Sequence, residues 1–158
     1  MARSRVTVDA QHLFIKLLEA ALLGQTDYGV ELIDWEGEVP EVASNEDVDT
    51  VERLPLVLVS ASGGTMVSNG GPGLAWNWII GVSVLHHSKG EATDLADLIY
   101  ELMHTLHDHG ASLAGVGSVT RVDDISMPEH TATSVTPSGG LSQYDGAWAV
   151  IVRNNRTT

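Results

Sequence analysis

The chain contains no cysteine, and that absence excludes a disulfide framework, a thiolate metal site and a cysteine nucleophile. Basic residues are scarce as well: eight Lys and Arg stand against 21 Asp and Glu, which gives a formal net charge of -13. Phosphate backbones repel such a chain, so the composition argues against a conventional nucleic-acid-binding protein. The same sign of charge suits a wall past which DNA moves without adhering.

Long apolar runs are missing too. No segment approaches the ~20 apolar residues that a membrane helix needs, so we expect no membrane association. Arg3 and Arg5 are followed by Asp9 and His12, which interrupt any apolar core of a signal peptide. With 158 residues, 43% of them hydrophobic, the chain is expected to form one globular domain over residues 1–158, made in a cytoplasm.

Two helices are predicted. The first covers residues 7–23, where apolar side chains recur every three or four positions and Thr7 or Asp9 is placed to cap the start. The second covers residues 91–109 and has one apolar face opposite an acidic one. Ser88 precedes this helix and forms a capping box with the glutamate three residues later.

Apolar runs and alternating patterns predict five strands, three before the second helix and two after it. The third is rich in tryptophan: Trp76, Trp78 and the alternate residues to Val84 share one face, while Ile79 and Leu85 add apolar groups to the other. This favours a central strand, or one covered on its second face by a partner chain. The five strands are expected over residues 29–35, 54–59, 76–85, 116–127 and 144–153.

Polar segments rich in Gly, Ser, Thr or Pro, or in carboxylates, predict mobile loops near residues 36–52, 61–73 and 128–142. Strands joined by loops, with helices at two fixed points, predict an α+β fold. The expected architecture is an antiparallel-rich sheet with two helices packed on one face.

The seven histidines raise the question of a metal site. Glu101 and His104 form a Glu-x-x-His pair on the second helix, and His107 follows three residues later. Di-metal carboxylate proteins use this spacing, but they need a second such pair and two further glutamates. The first helix does not offer them, so we expect a solvated helix face, no bound metal and no cofactor. A metal-dependent hydrolase using these three side chains is kept as a lesser alternative.

Other candidate chemistry is weaker. Neighbours on a strand point to opposite faces, so neither His86 and His87 nor Asp123 and Asp124 form a chelating or catalytic pair. The sequence contains no nucleophile elbow, no complete dinucleotide-binding fingerprint and no P-loop. We therefore expect no catalytic residues and no enzyme activity.

Charged residues in the last strands leave two interpretations open. Alternation over residues 116–127 places Val119, Arg121 and Asp123 opposite to Val122. Arg121 and Arg153 pair either with nearby carboxylates such as Asp123 or, across a subunit boundary, with the acidic segment. That segment, residues 34–52, holds eight carboxylates and no Lys or Arg, and is either a solvated loop or an interface.

A set of segments occurs along most of the chain in a recognisable order. They are an opening helix that runs into Leu17 and Leu18, the apolar strand over 54–59, a Gly-rich loop, a strand end over 82–86, a helix start over 92–96 and a closing strand over 148–153. In this order they resemble the tail terminator (tail-completion) proteins of long-tailed, non-contractile bacteriophages.

The resemblance implies an α+β subunit that forms a homohexameric ring at the head-proximal end of the tail tube. Such a ring stops tube growth and joins the tail to the head connector. Its partners are other copies of itself, the tail tube protein and the head–tail connector protein, and DNA passes through without specific binding. It is assembled in the host cytoplasm and resides in the virion tail. Another phage neck or minor tail assembly protein is the alternative.

The residue pattern also gives candidate contact positions for a ring. The expected subunit contacts are Trp76, Trp78, Leu85, His86, Arg121 and Arg153. The acidic loop is expected to face the pore or a partner with Glu36, Glu38, Glu41, Glu46, Asp47, Asp49 and Glu52.

Overall fold

A computed structural model of the protein describes residues 9–23, 39–45, 54–67, 75–108, 111–113, 116–136 and 139–153. These residues form two helices and six strands of a single sheet. The elements are α1 (Ala10–Leu22), β1 (Glu41–Ser44), β2 (Leu56–Met66), β3 (Ala75–His86), α2 (Lys89–Asp108), β4 (Ser112–Leu113), β5 (Gly117–Thr136) and β6 (Gly139–Arg153). The strand order is β1-β2-β3-β6-β5-β4, and every neighbouring pair is antiparallel except β1 with β2. The α+β prediction is confirmed.

Helix α1 begins where the sequence predicts a cap. The Asp9 carboxylate accepts a hydrogen bond from the His12 N–H at 3.1 Å, which satisfies one of the free amides of the first turn. Apolar side chains on most of its turns are buried, because α1 contacts β1 and β2 at one edge of the sheet and β4 at the opposite edge. The sheet therefore curls around this helix.

Ser88 caps helix α2 with Glu91 as its partner, as the sequence predicts. The Ser88 hydroxyl oxygen accepts from the Glu91 N–H at 3.3 Å and lies 3.2 Å from the Glu91 carboxylate. The apolar face packs against β3, β5 and β6. Every residue predicted on that face is buried: Ala92, Leu95, Ala96, Ile99, Leu102, Met103 and Leu106.

Both helices cover the same face of the sheet, here called the inner face. Its side chains alternate along each strand with those of the opposite, outer face, as the sequence pattern predicts. The buried inner-face residues of the three central strands are Val57, Val59, Ile80, Val82, Val84, Trp148, Val150 and Val152. They form one core with both helices.

The loop predicted over 61–73 is wrong in its first half, because β2 continues to Met66. Gly63 and Gly64 have φ values of 100° and 87° and form a β-bulge rather than a loop. A Cβ atom added to Gly64 would lie 2.9 Å from the Trp78 ring, so only glycine fits beneath this side chain. Pairing with the distant strand β3 thus decides a segment whose composition is typical of loops.

The loop predicted over 128–142 is also wrong for its described residues, because 128–136 and 139–142 belong to the paired ends of β5 and β6. Pro128 lies where the register shifts between Ser126 and Glu129, so its missing N–H breaks no regular ladder. The strands stay paired from Ser118 opposite Arg153 to Thr136 opposite Gly139. The register of β5 against β6 shifts at four places: Val119/Arg121, Asp124/Ser126, Ser126/Glu129 and His130/Ala132.

The first of these shifts corrects the predicted faces of β5. Val119 and Val122 were expected on opposite faces, yet both are buried in the inner-face core. Thr120 is an extra residue at a bulge, since Val119 pairs with Val152 and Arg121 already pairs with Ile151. One inserted residue restores both valines to the same side.

The first predicted strand, residues 29–35, lies outside the described residues. The loop predicted over 36–52 is described only in part, and there it is corrected: Glu41 to Ser44 form β1. This strand pairs in parallel with β2, with Glu41 opposite Leu56. Val42 is buried against the core while its neighbours stay more exposed, a pattern too short to be noticed among carboxylates.

Candidate interaction surface on the outer sheet face

The centre of the outer face carries small and apolar side chains. We call it the outer patch, and it consists of Ile79, Gly81, Ala147, Ala149 and Ile151. Ile79 keeps 45% of its surface exposed, and the other four are half-buried. Both described helices lie on the inner face, so within the described residues no helix covers this patch.

Close packing between strands keeps the patch flat at Gly81. A Cβ atom there would lie 2.6 Å from the Ser60 hydroxyl oxygen, so a larger residue forces the serine to move. Ser60 in turn donates to the Gly81 carbonyl at 3.4 Å. The register then gives a row Ser60–Gly81–Ala147–Ser126 of small side chains across four strands.

An ion pair borders the patch on β5. The Arg121 Nε lies 2.6 Å from the Asp123 carboxylate, and both side chains are mostly exposed. Of the two pairings expected for Arg121, the local one is therefore present in the single chain. An exposed pair of this kind contributes only about 0–1 kcal/mol to stability. Its main effect is to neutralise the two charges at the border of the patch. Arg153 lies opposite Ala75 and Ser118 at the end of β6.

Asp145 borders the patch at its other end. Burial raises the pKa of Asp145, but hydrogen bonds from Gln143, Ser83 and Thr131 outweigh burial and bring the pKa below its ordinary value. Thr131 donates to the carboxylate at 2.7 Å and the Gln143 amide donates at 3.0 Å. This carboxylate is therefore held ionised by side chains of β3, β5 and β6 together.

We predict that Asp145→Asn removes a pH-dependent part of the stability. A depressed folded-state pKa stabilises the fold fully above the ordinary value of 3.8, and this stabilisation is lost as pH falls through the lower folded-state value. The difference in unfolding free energy from wild type should be about 0.5 kcal/mol near pH 7, since the side chain is only half-buried and water screens its interactions. Urea titrations at pH 7 and pH 3 check this; an equal difference at both pH values contradicts it.

The predicted contact residues occupy different places. Trp76 and Trp78 lie on the inner face of β3, partly buried, and not on the outer patch. Leu85 is only 4% exposed and His86 only 6%, so the chain itself already covers these two side chains. Their assignment as subunit contacts stays a prediction, and the two side chains leave little exposed surface for a partner to contact.

His86 lies at the junction between β3 and α2. Its Nδ1 accepts the His87 N–H at 2.8 Å when that nitrogen is unprotonated. The same atom lies 3.1 Å from the Glu91 carboxylate, to which it donates when protonated. The ring therefore bonds to Glu91 of α2 when Nδ1 carries a proton and to the turn before α2 when it does not, which is a structural role.

The candidate metal ligands on α2 take part in a different arrangement. His104 Nε2 lies 2.9 Å from one oxygen of Asp124, and the Tyr100 hydroxyl donates to the other oxygen at 2.7 Å. Asp124 thereby connects α2 to β5. Its hydrogen bond with Tyr100, then burial and its negative charge, raise the pKa of the Tyr100 hydroxyl.

No metal centre is assembled around this connection. Within the described residues, no group of three or more His, Asp or Glu side chains is arranged to hold a metal ion. Glu101 is exposed, and the His107 side chain lies outside what is described. No local pattern indicates the link between Tyr100 and Asp124, because both residues belong to polar faces of separate elements.

Most of the predicted acidic loop lies outside the described residues. Glu41 is exposed at the start of β1, on the edge of the sheet. The remaining carboxylates of the predicted loop lie outside the described residues: Glu36, Glu38, Glu46, Asp47, Asp49 and Glu52. Their expected pore- or partner-facing role is a prediction.

Comparison with known proteins leaves the family open. No protein-family model matches the chain, and a search of curated proteins finds no match either. Neither of the two described helices combines the length and apolarity needed to cross a membrane.

Proposed function

We propose that this chain is a structural subunit of a phage tail terminator: a ring, most simply a homohexamer, at the head-proximal end of the tail tube. It stops tube growth and joins the tail to the head connector, and DNA passes through its centre. The proposal rests on the resemblance in segment order, which implies the α+β architecture that the chain adopts.

The observation that carries the proposal is the outer patch. Ile79 lies at its centre, 45% exposed, between Ser62 on one neighbouring strand and Ala149 on the other. Single exposed apolar residues are ordinary, but an apolar stripe along two adjacent strands is typical of a surface that another protein covers. Further along β5, Ile125 and Met127 are also exposed, at two of the register shifts.

Charge supports a passive role toward DNA. The net charge of -13 repels phosphate, so a ring of such subunits lets DNA pass without binding it. Copies of so acidic a chain also repel one another, so any self-association must rest on surfaces where carboxylates are few or paired. The outer patch, bordered by the Arg121–Asp123 ion pair, is such a surface.

The test is the size and shape of the purified protein. Light scattering across a range of concentrations should show a species near six times 16.8 kDa, and negative-stain images should show rings. Because some rings close only on their tube, the same measurement is repeated with polymerising tube protein present. Tubes of limited length, each with a ring at one end, support the proposal; unlimited tube growth and no ring in either condition overturn it.

We predict that charge reversal at Glu46, Asp47 and Asp49 leaves the fold intact but disturbs assembly or DNA passage. Three lysines place positive charge where the proposal requires a surface that repels DNA or faces a partner. Circular dichroism checks the fold, and the infectivity of particles assembled with the variant checks the function. The matched control reverses three exposed acids on α2: Asp94, Asp97 and Glu101. Full infectivity of the loop variant contradicts the role of the loop.

A further inference from the structure

Strand β2 has two halves that differ at its outer edge. Its first half pairs with β1, from Leu56 opposite Glu41 to Val59 opposite Ser44. Beyond that point no described residue pairs with residues 60–66 on this side, although β3 pairs with them on the other. The second half of β2 therefore presents a free edge within the described part of the chain.

Hydrogen bonds next to this edge show which backbone groups it exposes. The Val59 carbonyl accepts from the Asn45 N–H at 3.1 Å and from the Gln11 amide at 2.9 Å, so Val59 faces the edge. Backbone groups of a strand alternate between its two neighbours, so Ala61 also directs its N–H and C=O outward. Such groups are a template for another strand.

The edge has few of the features that normally prevent strand addition. Charged residues, proline, bulges and very short strands protect the edges of soluble proteins. Residues 60–66 contain no charged residue and no proline, and their one irregularity is the bulge at Gly63 and Gly64. In a chain with 21 carboxylates, an uncharged edge of this length is an unusual local feature.

A second free edge lies at the opposite end of the sheet. Strand β4 pairs with β5 only at Gly117 and Ser118, and the Val119 N–H donates to the Ala111 carbonyl at 2.8 Å. No described residue pairs with the outer edge of residues 121–126. Residues 121–124 of this part are regularly paired with β6, and a register shift follows between Asp124 and Ser126. The Arg121–Asp123 ion pair leaves the outer face here nearly neutral.

The register places the two free edges at the same height. Ser62 pairs with Ile79, Ile79 with Ala149 and Ala149 with Asp123, which gives one row across four strands. Each of these three pairings is antiparallel, so β2 runs antiparallel to β5. A second copy can lie beside the first with its strands pointing in the same directions. Strand β5 of the second copy then lies antiparallel to β2 of the first.

We propose that residues 60–66 of one copy pair as a β-strand with residues 121–126 of a second copy. This inference rests on the proposed ring, because pairing of two different edges is head-to-tail and closes into a ring when the rotation between copies allows it. Backbone hydrogen bonds supply the contact, Ser60 and Ser62 come next to the Arg121–Asp123 pair, and few uncompensated carboxylates meet.

Disulfide trapping tests the pairing directly, because the chain has no cysteine of its own. Ser62→Cys and Asp123→Cys are made in separate chains, mixed and oxidised. Residues opposite each other on paired antiparallel strands lie within reach of a disulfide, so a mixed dimer should dominate on a non-reducing gel. The control replaces Asp123→Cys by Asp97→Cys, which removes an exposed acid of the same type on α2 and should give no mixed dimer.

Each outcome has one meaning. Dimers of Ser62→Cys with itself show that two β2 edges pair and overturn the inference. Rings seen by negative stain without any mixed dimer also overturn it, while the proposed function stands. If no rings form with or without tube protein, the proposed function fails. The negative-stain images alone distinguish this outcome from rings that form without a mixed dimer.

A second variant keeps the inference testable if the cysteines disturb the fold. Ala61→Pro removes an N–H that faces the free edge and leaves the ladder with β3 untouched. We expect the circular dichroism spectrum to be unchanged. The dissociation constant of the ring should rise at least about tenfold, which is the equivalent of losing one to two backbone hydrogen bonds. Ala61→Ser keeps the N–H and should assemble like wild type. Equal assembly of both variants overturns the inference.

Discussion

Trp148→Ala should lower the free energy of unfolding by about 3–5 kcal/mol. Trp148 is fully buried at the centre of the inner face, opposite Ile80 on β3 and Asp124 on β5. Its ring also packs so closely on Gly146 that a Cβ there would lie 2.8 Å away. Truncation leaves a cavity that neighbours on three strands cannot fill. Because a domain of this size is stable by only about 5–15 kcal/mol, urea denaturation followed by circular dichroism should show a large shift.

The matched control is Trp148→Phe. Among the described residues none accepts a hydrogen bond from the Trp148 indole N–H, and an unpaired buried donor costs about 1–3 kcal/mol. Phenylalanine keeps most of the apolar contact and removes that donor, so the two effects offset each other and the net loss should stay near 1 kcal/mol or below. A loss as large as that of Trp148→Ala would show that the indole nitrogen has a partner after all.

Phe14→Ala is expected to have a similar effect, about 3–5 kcal/mol, for a different reason. Phe14 is the single phenylalanine of the chain, and it is fully buried on α1. This helix contacts β1, β2 and β4, so it occupies the space inside the curled sheet. Removing its largest side chain weakens the contact between the helix and both sides of the sheet. Thermal and urea unfolding measure the loss.

His12→Ala on the same helix is the control. Its side chain is exposed, and the capping bond to Asp9 uses the backbone N–H, which the substitution keeps. The unfolding free energy should change by less than about 0.5 kcal/mol. If Phe14→Ala costs no more than His12→Ala, α1 does not pack inside the sheet as described.

Local patterns were enough to predict both helices. In α2 the seven apolar positions, the Ser88 cap and its partner Glu91 are all visible within 20 residues, because helical contacts join near neighbours. The alternation of β3 and β6 also predicted their inner faces correctly, from Ile80 and Val82 to Trp148. Burial on one face imposes a period of two that the sequence must carry.

The predictions failed where a distant partner decides the structure. Gly63, Gly64 and Pro128 are loop-forming residues by composition, yet they lie within paired strands because β3 and β6 supply hydrogen bonds. The insertion of Thr120 shifts the alternation of β5 without any sign in the sequence. Bulges of this kind depend on register, which is set between strands and not within one.

The candidate surface follows the same division. The contact positions chosen from the sequence were the largest apolar or charged residues, and of these Leu85 and His86 are already covered within the chain. The outer patch consists mostly of small residues, such as Gly81 and Ala149, that attract no attention one at a time. They become a surface only because the register aligns them across adjacent strands.

The amino-acid sequence by itself determined the acidic charge, the absence of thiol chemistry, the two amphipathic helices and the inner faces of β3 and β6. These properties depend on composition or on contacts between near neighbours. Only the tertiary structure decided the length of the strands, the positions of the bulges and the two free edges at one height. These depend on hydrogen bonds between residues far apart in the chain, such as Ser62 and Ile79 or Ala149 and Asp123, whose pairing no local pattern encodes.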